Sequence, residues 1–529
     1  MRKQVYFLAT GFCIALFSPQ AFLAQLNTRV GAQALQNNTT GIDNSAFGFR
    51  ALQLNTAASG NSAFGANALA KNTGTGRENT AIGSGSLFSN TNGSFNTATG
   101  FQALNFNSSG AANTATGFRA LRFNTSGFDN TAIGVEALRS NITGSHNTAT
   151  GKSALASNTT GQFNVANGNG ALMFNTSGND NTAIGTEALS LNSTGLWNTA
   201  IGNEALFSNT GPPSGSGAFD GIGNTATGHK ALFLNKTGHG NVANGIEALF
   251  SNTSASNNTA CGNSALFNNT TGQSNTAIGV HALVNNDNGE YNTGVGRLAL
   301  SSNTTGSWNT AIGAHAGGYA NTTNCSFIGA GARASTFAHV TNSTALGYIT
   351  YVTADNQVRI GNTFVTSIGG PVNFTAFSDY RYKKNISEDV PGLAFIAKLR
   401  PITYTLDVEG IDKKLKAIQP ELAVDSSIAL ALQPIQLSVE DLKAKQEKAG
   451  IVYTGFIAQE VEQAAKELKY QFSGVDAPKN KEDFYGLRYA EFVVPLVKAV
   501  QELSTENQQL RKELNELKEL VNKLAKGQR

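Results

Sequence analysis

Charge is scarce over most of this chain. Of its 73 charged residues (38 Lys+Arg, 35 Asp+Glu), 2 lie in residues 1–24 and 46 in 378–529, which leaves 25 for the whole of 25–377. A net charge of +3 over 529 residues gives no electrostatic case for nucleic acid or for an acidic partner. Cysteine is nearly absent: beyond Cys13 there are only Cys261 and Cys325. One apolar run, Val5 to Phe17, opens the chain, and no other stretch approaches the roughly 20 apolar residues that span a bilayer, so no transmembrane anchor is expected. The Asp and Glu spacing of calcium-binding repeats is missing, and no cofactor or metal site is read.

What the first residues do contain is an export signal. Arg2 and Lys3 precede the apolar run, and Ala21 or Ala24 offers a small residue for cleavage, so residues 1–24 read as a signal peptide and the mature chain as secreted or held at the cell surface. The composition then changes at residue 378, from an Asn, Thr, Gly and Ala-rich region to an ordinary charged globular sequence.

The long middle is a repeat. Asn-Thr-Ala-x-Gly starts at Asn79 and returns every 17 residues to Asn198, with Asn164-Val-Ala-Asn-Gly168 as a variant. The pattern begins as Asn44-Ser-Ala-Phe-Gly48 and Asn61-Ser-Ala-Phe-Gly65 and resumes from Asn224 to Asn309 after a Gly-Pro-Pro-Ser-Gly stretch at 211–215, giving sixteen copies. A fixed period over this length marks a solenoid in which each copy packs on its neighbours. Eight residues after the Asn, Leu fills fifteen of the sixteen slots, as at Leu52, Leu121 and Leu206, which makes it the inward residue of a continuous core. Gly, Asn and Thr disfavour helix, so each copy reads as two short strands and two turns. At about 4.8 Å per coil, sixteen coils rise on the order of 75 Å. Cys261 and Cys325 would then be roughly 18 Å apart, beyond the reach of a disulfide at about 7 Å, and both are read as core or near-core residues. The sequons Asn141-Ile-Thr143 and Asn192-Ser-Thr194 are read as chance products of an Asn/Thr-rich repeat.

These pentapeptides resemble the repeats of YadA-like trimeric adhesin heads over residues 44–347, down to Cys325-Ser-Phe-Ile-Gly329 and Ser343-Thr-Ala-Leu-Gly347. The resemblance implies a parallel β-roll that assembles as a homotrimer and meets surface glycans or other cell-surface ligands. Those adhesins end in a membrane-inserting anchor. Lys523-Leu-Ala-Lys-Gly-Gln-Arg529 does not read as one.

Downstream of a β connector at 348–377 come four blocks in order: Phe377-Ser-Asp-Tyr-Arg-Tyr-Lys-Lys-Asn-Ile386, Leu399-Arg-Pro-Ile-Thr-Tyr404, Tyr453-Thr-Gly-Phe-Ile-Ala-Gln-Glu-Val461 and Gly486-Leu-Arg-Tyr489. Their order is similar to that of the endosialidase-type intramolecular chaperone, the S74 peptidase family. The resemblance implies an α+β module at 378–495 that trimerises, helps the preceding fibre fold and cuts itself off before the Ser of a Ser-Asp pair. Carried over, the scissile bond is Phe377–Ser378, the nucleophile Ser378 and the base Lys383, a self-cleaving serine peptidase of one intramolecular turnover with no external substrate. The chemistry is intelligible: a hydroxyl attacks the carbonyl of its own preceding peptide when a neutral amine takes its proton. Neutral Lys needs burial or a nearby cation, for which Arg381 is the candidate. Residues 406–449 read as an insertion.

A last helix at 496–526 carries Leu496, Val500, Leu503, Asn507, Leu510, Leu514, Leu517, Val521 and Leu524 in alternating steps of four and three, a coiled-coil seam. Parallel chains would set Glu506 against Arg511 and Glu513 against Lys518. The competing reading is a helix folded back on its own domain. The expected fold is thus mainly β, a parallel β-solenoid of 17-residue repeats at 25–347 followed by an α+β chaperone domain ending in a coiled coil. The expected function is a trimeric adhesin-like fibre matured by its own chaperone. The alternative is a spike that binds or depolymerises polysaccharide, for which Glu136, Glu187, Glu204 and Glu247 supply one carboxylate per equivalent repeat position. An ice-binding face ranks below both, on the ground that Thr occurs without a flat Thr-x-Thr array.

Overall fold

The computed structural model describes residues 26–211, 219–318, 321–334, 339–371, 375–417, 437–481 and 483–527. The signal-peptide reading of 1–24, most of the 211–215 break and the middle of the 406–449 insertion lie outside the described residues. A parallel β-solenoid of about 19 turns is followed by a small α/β region and a long C-terminal helix. The chain divides into two compact units, Met1–His315 and Ala316–Arg529.

In the first unit, seventeen three-residue strands (β1, Thr28–Val30, to β17, Thr310–Ile312) stack in parallel and in register. Thr131, Ala132 and Ile133, for example, lie against Thr148, Ala149 and Thr150. From β2 to β17 the central residue of each strand, Ala in all but β16 (Gly294), is buried and its neighbours face out, as the two-residue period of a strand requires. The fifteen repeat Leu side chains are all 0% exposed and form the core ladder that the repeat pattern implies.

The Ala-Leu segment, however, is not a second strand. Its Leu residues all have φ between 48° and 54°, and the residue two positions before each is left-handed as well, as at Glu136 (φ 58°). A left-handed L-residue costs roughly 1–2 kcal/mol. The stack offsets this with backbone bonds that run from coil to coil, such as Leu138 N–H to Ala154 O at 2.9 Å and Glu136 N–H to Phe118 O at 2.9 Å. The constancy of Leu therefore has two causes, since β-branched Val and Ile fill a core equally well but tolerate positive φ least. The Gly that closes each pentapeptide is fixed more strictly. A Cβ on Gly134 would stand 2.4 Å from Gly151 O of the next coil.

Two Asn per coil, the one that opens each pentapeptide and the later one that reads from the sequence as a turn former, stand in buried ladders. Asn130 Nδ2 donates to Asn113 Oδ1 at 3.1 Å, and its backbone N–H shares that acceptor. Asn158 Nδ2 donates to Asn141 Oδ1 (2.7 Å) and to Gly161 O (3.0 Å), while its own Oδ1 accepts from Asn175 (2.8 Å). The sequon residues Asn141 and Asn192 stand in this ladder at 0% exposure, so neither carries a glycan on the folded chain. Replacing Asn158 by Ala orphans both ladder neighbours in a dry interior, at about 1–3 kcal/mol. Calorimetry should show Asn158→Ala lowering the unfolding midpoint and Asn158→Asp lowering it further, because a carboxylate there faces two carbonyl oxygens.

Two readings of the surface need correction. Cys325 is buried, its Sγ 3.3 Å from Thr323 O and Val340 O, but Cys261 is exposed at the outward third position of its strand (β14, Thr259–Cys261), where several other coils place Ile; the two are not joined by a disulfide. Thr-x-Thr pairs do occur: Thr97–Thr99, Thr114–Thr116, Thr148–Thr150 and Thr225–Thr227 each read Thr-Ala-Thr, with both hydroxyl residues on the outer face. Elsewhere the third position is Ile in half of the coils, as at Ile82, Ile133 and Ile184, and Phe, Asn, Val or Cys in the rest, so the face mixes polar and apolar residues.

The second unit opens with further coils. β18 (Ser326–Ile328) pairs with β20 (Thr344–Leu346), and β20 with β22 (Val358–Ile360), so the parallel ladder runs on to residue 360. Behind it, β23 (Ile402–Tyr404) pairs antiparallel with β24 (Tyr453–Gly455), and β25 (Val475–Asp476) with β26 (Gly486–Leu487). Helices α1 (Leu393–Ile396), α2 (Val408–Ala417), α3 (Val439–Gly450), α4 (Ala458–Glu467) and α5 (Val493–Gly527) complete the unit. Phe395, Val461, Ala464, Ala465 and Phe492 form its core, with Phe456, Tyr470 and Phe472 packed around them. No helix among the described residues is long and apolar enough to cross a membrane.

Candidate functional site

The first sequence block forms a short, self-contained turn. Asp379 caps the 3-10 turn Tyr380–Tyr382, accepting from Arg381 N–H at 2.9 Å, and Lys383 N–H closes on Tyr380 O at 3.1 Å. That turn brings the chain back on itself, so that Lys383 Nζ reaches Ser378 Oγ at 2.9 Å. The two residues named from the sequence are therefore in hydrogen-bond contact.

Arg381 does not serve as the cation that was expected to favour neutral Lys383. Its guanidinium grips Asp379 with three contacts, Nη2 to Oδ2 at 2.6 Å and Nε to both oxygens at 3.0–3.1 Å. The hydrogen bonds from Arg381 hold the Asp379 carboxyl below its usual range, and Asp379 in turn raises Arg381. With that charge engaged locally, burial is the remaining means of stripping the proton from Lys383. The single chain does not supply it. Every described residue from 375 to 389 is exposed, among them Phe377, Tyr380, Tyr382 and Ile386.

The other three blocks build the module and do not reach Ser378. Tyr404 and Tyr453 stack across the β23–β24 pair at 5.8 Å between ring centres. Tyr489 of the Gly-Leu-Arg-Tyr block accepts the Phe456 N–H at 3.2 Å, and a Cβ on Gly455 would meet the Tyr489 hydroxyl at 2.2 Å, which explains the Gly of Tyr-Thr-Gly-Phe. Arg400 and Glu460 form an ion pair that ties the second block to α4. Gly392, before α1, lets that short helix close on α5, where Glu502 accepts from Leu393 N–H at 2.6 Å.

Helix α5 does not fold back on its own domain over most of its length. Only its first turns pack on the module, where Ala499 is buried. Residues 503–526 are all exposed, and among the described residues nothing covers Leu503, Leu510, Leu514, Leu517, Val521 or Leu524.

Two of the four carboxylates weighed for sugar chemistry are held in ion pairs. Glu136 lies 3.2 Å from Arg139 and 3.9 Å from Arg119, and Glu204 3.6 Å from Lys230. Paired carboxylates on a solvated face are poorly suited to proton transfer.

Residues 378–470 match the family Peptidase_S74, the chaperone of endosialidase. No curated protein matches the chain. Fold and match together define a β-solenoid that carries a chaperone-of-endosialidase domain at its C-terminal side. The matched stretch contains Ser378, Lys383 and blocks two and three, and stops short of the fourth block and of α5.

Proposed function

We propose that this chain is the subunit of a secreted or surface-displayed homotrimeric fibre, adhesin-like in its solenoid, whose C-terminal domain assembles three copies and then severs itself from them at Phe377–Ser378. The observation that carries the reading is the Ser378–Lys383 contact of 2.9 Å on a segment with no burial of its own. Nucleophile and base meet in the monomer, but general-base catalysis by an amine needs its neutral form, which a dry setting favours. Neighbouring subunits closing over Phe377, Tyr380 and Tyr382 would desolvate it. Cleavage would then report completed assembly.

The sequence of events is Ser378 Oγ attack on the Phe377 carbonyl as Lys383 takes the hydroxyl proton, return of that proton to the Ser378 amine as the peptide becomes an ester, and hydrolysis of the ester by water. Intact-mass measurement of the secreted product tests the reading directly. It should give fragments of 353 and 152 residues (377 − 24 and 529 − 377), the smaller beginning at Ser378. A different start points to an outside protease.

The uncovered α5 seam supports assembly through parallel helices. A peptide of residues 490–529 should sediment as an oligomer at high micromolar concentration, and Leu510→Asp with Leu517→Asp should return it to monomer. A monomeric wild-type peptide would move the assembly role to the rest of the domain.

A further inference from the structure

The loop between β25 and β26 reaches the last solenoid coil, on the far side of the Phe377–Ser378 bond. Asp483, 5% exposed, accepts from Thr353 Oγ1 at 2.6 Å and from Gln357 Nε2 at 3.1 Å, with Arg359 Nη2 at 3.4 Å. Lys479 Nζ donates to Asp355 O at 3.0 Å and Asn480 Nδ2 to Thr353 O at 2.8 Å. From its own module the Asp483 carboxylate is offered backbone N–H groups, including that of Lys479 at 3.2 Å. Burial alone would push this carboxyl up. The Thr353 hydroxyl, the Phe484 N–H, the Gln357 amide and the Lys479 N–H outweigh that and hold it below its ordinary value.

A second buried carboxylate repeats the arrangement. Asp412 of α2, 9% exposed and paired with Lys445 at 2.7 Å, accepts from Thr363 Oγ1 at 2.6 Å, and Lys448 of α3 donates to Val365 O. Thr353, Gln357, Arg359, Thr363 and Val365 all stay with the fibre when the 377–378 bond is cut. Removing the module would break these charge-assisted hydrogen bonds together, and bonds to an ionised group are the stronger ones.

We infer that cutting the chain does not release the module: the Asp483 loop and the Asp412 patch clip it to the fibre's terminal coil as a non-covalent cap. The cap closes a solenoid end that otherwise presents an open edge. Only the timing of the cut rests on the proposed Ser378 chemistry, and the clip is tested without it.

A protease recognition site inserted between Gly369 and Gly370, in exposed chain where added atoms meet nothing, lets the full-length protein be nicked at will. After nicking, the two fragments should co-elute on size exclusion. In Asp483→Ala, and in the fibre-side pair Thr353→Val with Gln357→Leu, the module should separate, with at least a tenfold faster loss from immobilised fibre. Asp476→Ala, which touches Arg488 within the module, should behave as wild type. The un-nicked variants are first matched to wild type by circular dichroism, and if Asp483→Ala misfolds, the fibre-side pair decides. Immediate separation of the nicked wild type, or co-elution unchanged in the fibre-side pair, overturns the clip. Failure of the chain to cut itself leaves this outcome untouched and bears only on Ser378.

Discussion

Leu155→Asp should abolish the solenoid. Leu155 is fully buried in mid-stack with its N–H bonded to Ala171 O at 3.0 Å, and a carboxylate there has neither water nor a cation to meet. Truncation to Ala alone costs about 2–5 kcal/mol in a packed core, and the charged substitution exceeds it. The expected result is loss of the cooperative thermal transition and rapid proteolysis within the repeat region, while Lys152→Asp on the exposed face leaves both unchanged. A finer comparison separates packing from backbone. Leu155→Met keeps volume and an unbranched Cβ, so it should cost under about 1.5 kcal/mol. Leu155→Ile keeps volume but puts a β-branched residue at φ 52°, and should cost clearly more. Equal midpoints for the two would show that φ plays no part in the choice of Leu.

Ser378→Ala and Lys383→Ala should each leave one full-length band where wild type gives two. The first removes the attacking oxygen and the second the amine in hydrogen-bond contact with it. Lys384→Ala should cut normally. Arg381→Ala is the informative case: because Arg381 is engaged by Asp379, its loss should slow cutting through disorder of the turn and not through the ionisation of Lys383. The pH profile of cutting in Arg381→Ala should therefore keep the wild-type midpoint at a lower plateau. Processing of Ser378→Ala at the wild-type rate in a purified system would end the self-cleavage reading.

Much of this was legible in the sequence, and the parts that were not have identifiable reasons. Period, parallel stacking and the Leu core follow from a 17-residue recurrence, because a residue that repeats in a solenoid repeats in environment. The same logic should have marked the two Asn columns as buried. The later Asn reads as a turn residue because Asn in isolation favours turns. The ladder bonds appear only once coils are stacked. The missing second strand escaped because φ is invisible in a pattern of apolar residues. Ser378 and Lys383 were found through their family context, and the five-residue spacing became meaningful when the Asp379 cap showed how the turn closes it. Asp483, Asp412 and Glu502 left no signal at all. Each works across more than a hundred residues of chain or against a connector, and ordinary charged residues in ordinary surroundings do not announce such partners.

The left-handed Leu and its neighbour two positions earlier recur in every coil and are held there by the adjacent coil. A lone coil would bear their strain without relief, so a coil is not a unit that forms and then stacks. Each is shaped by the one already in place, and the register is copied along the rod. Length then becomes a countable variable. Excising one whole period, such as Thr148 to Asn164, rejoins every ladder and shortens the first unit by a single rise of about 4.8 Å. Removing one residue from the strand of that segment instead shifts the Ala and Asn of that coil out of their columns. Whole periods of seventeen therefore adjust reach, and extra residues fit where the chain already holds them, since the Asn ladder is unbroken across the 18-residue step from Asn61 to Asn79 and the 26-residue step from Asn198 to Asn224.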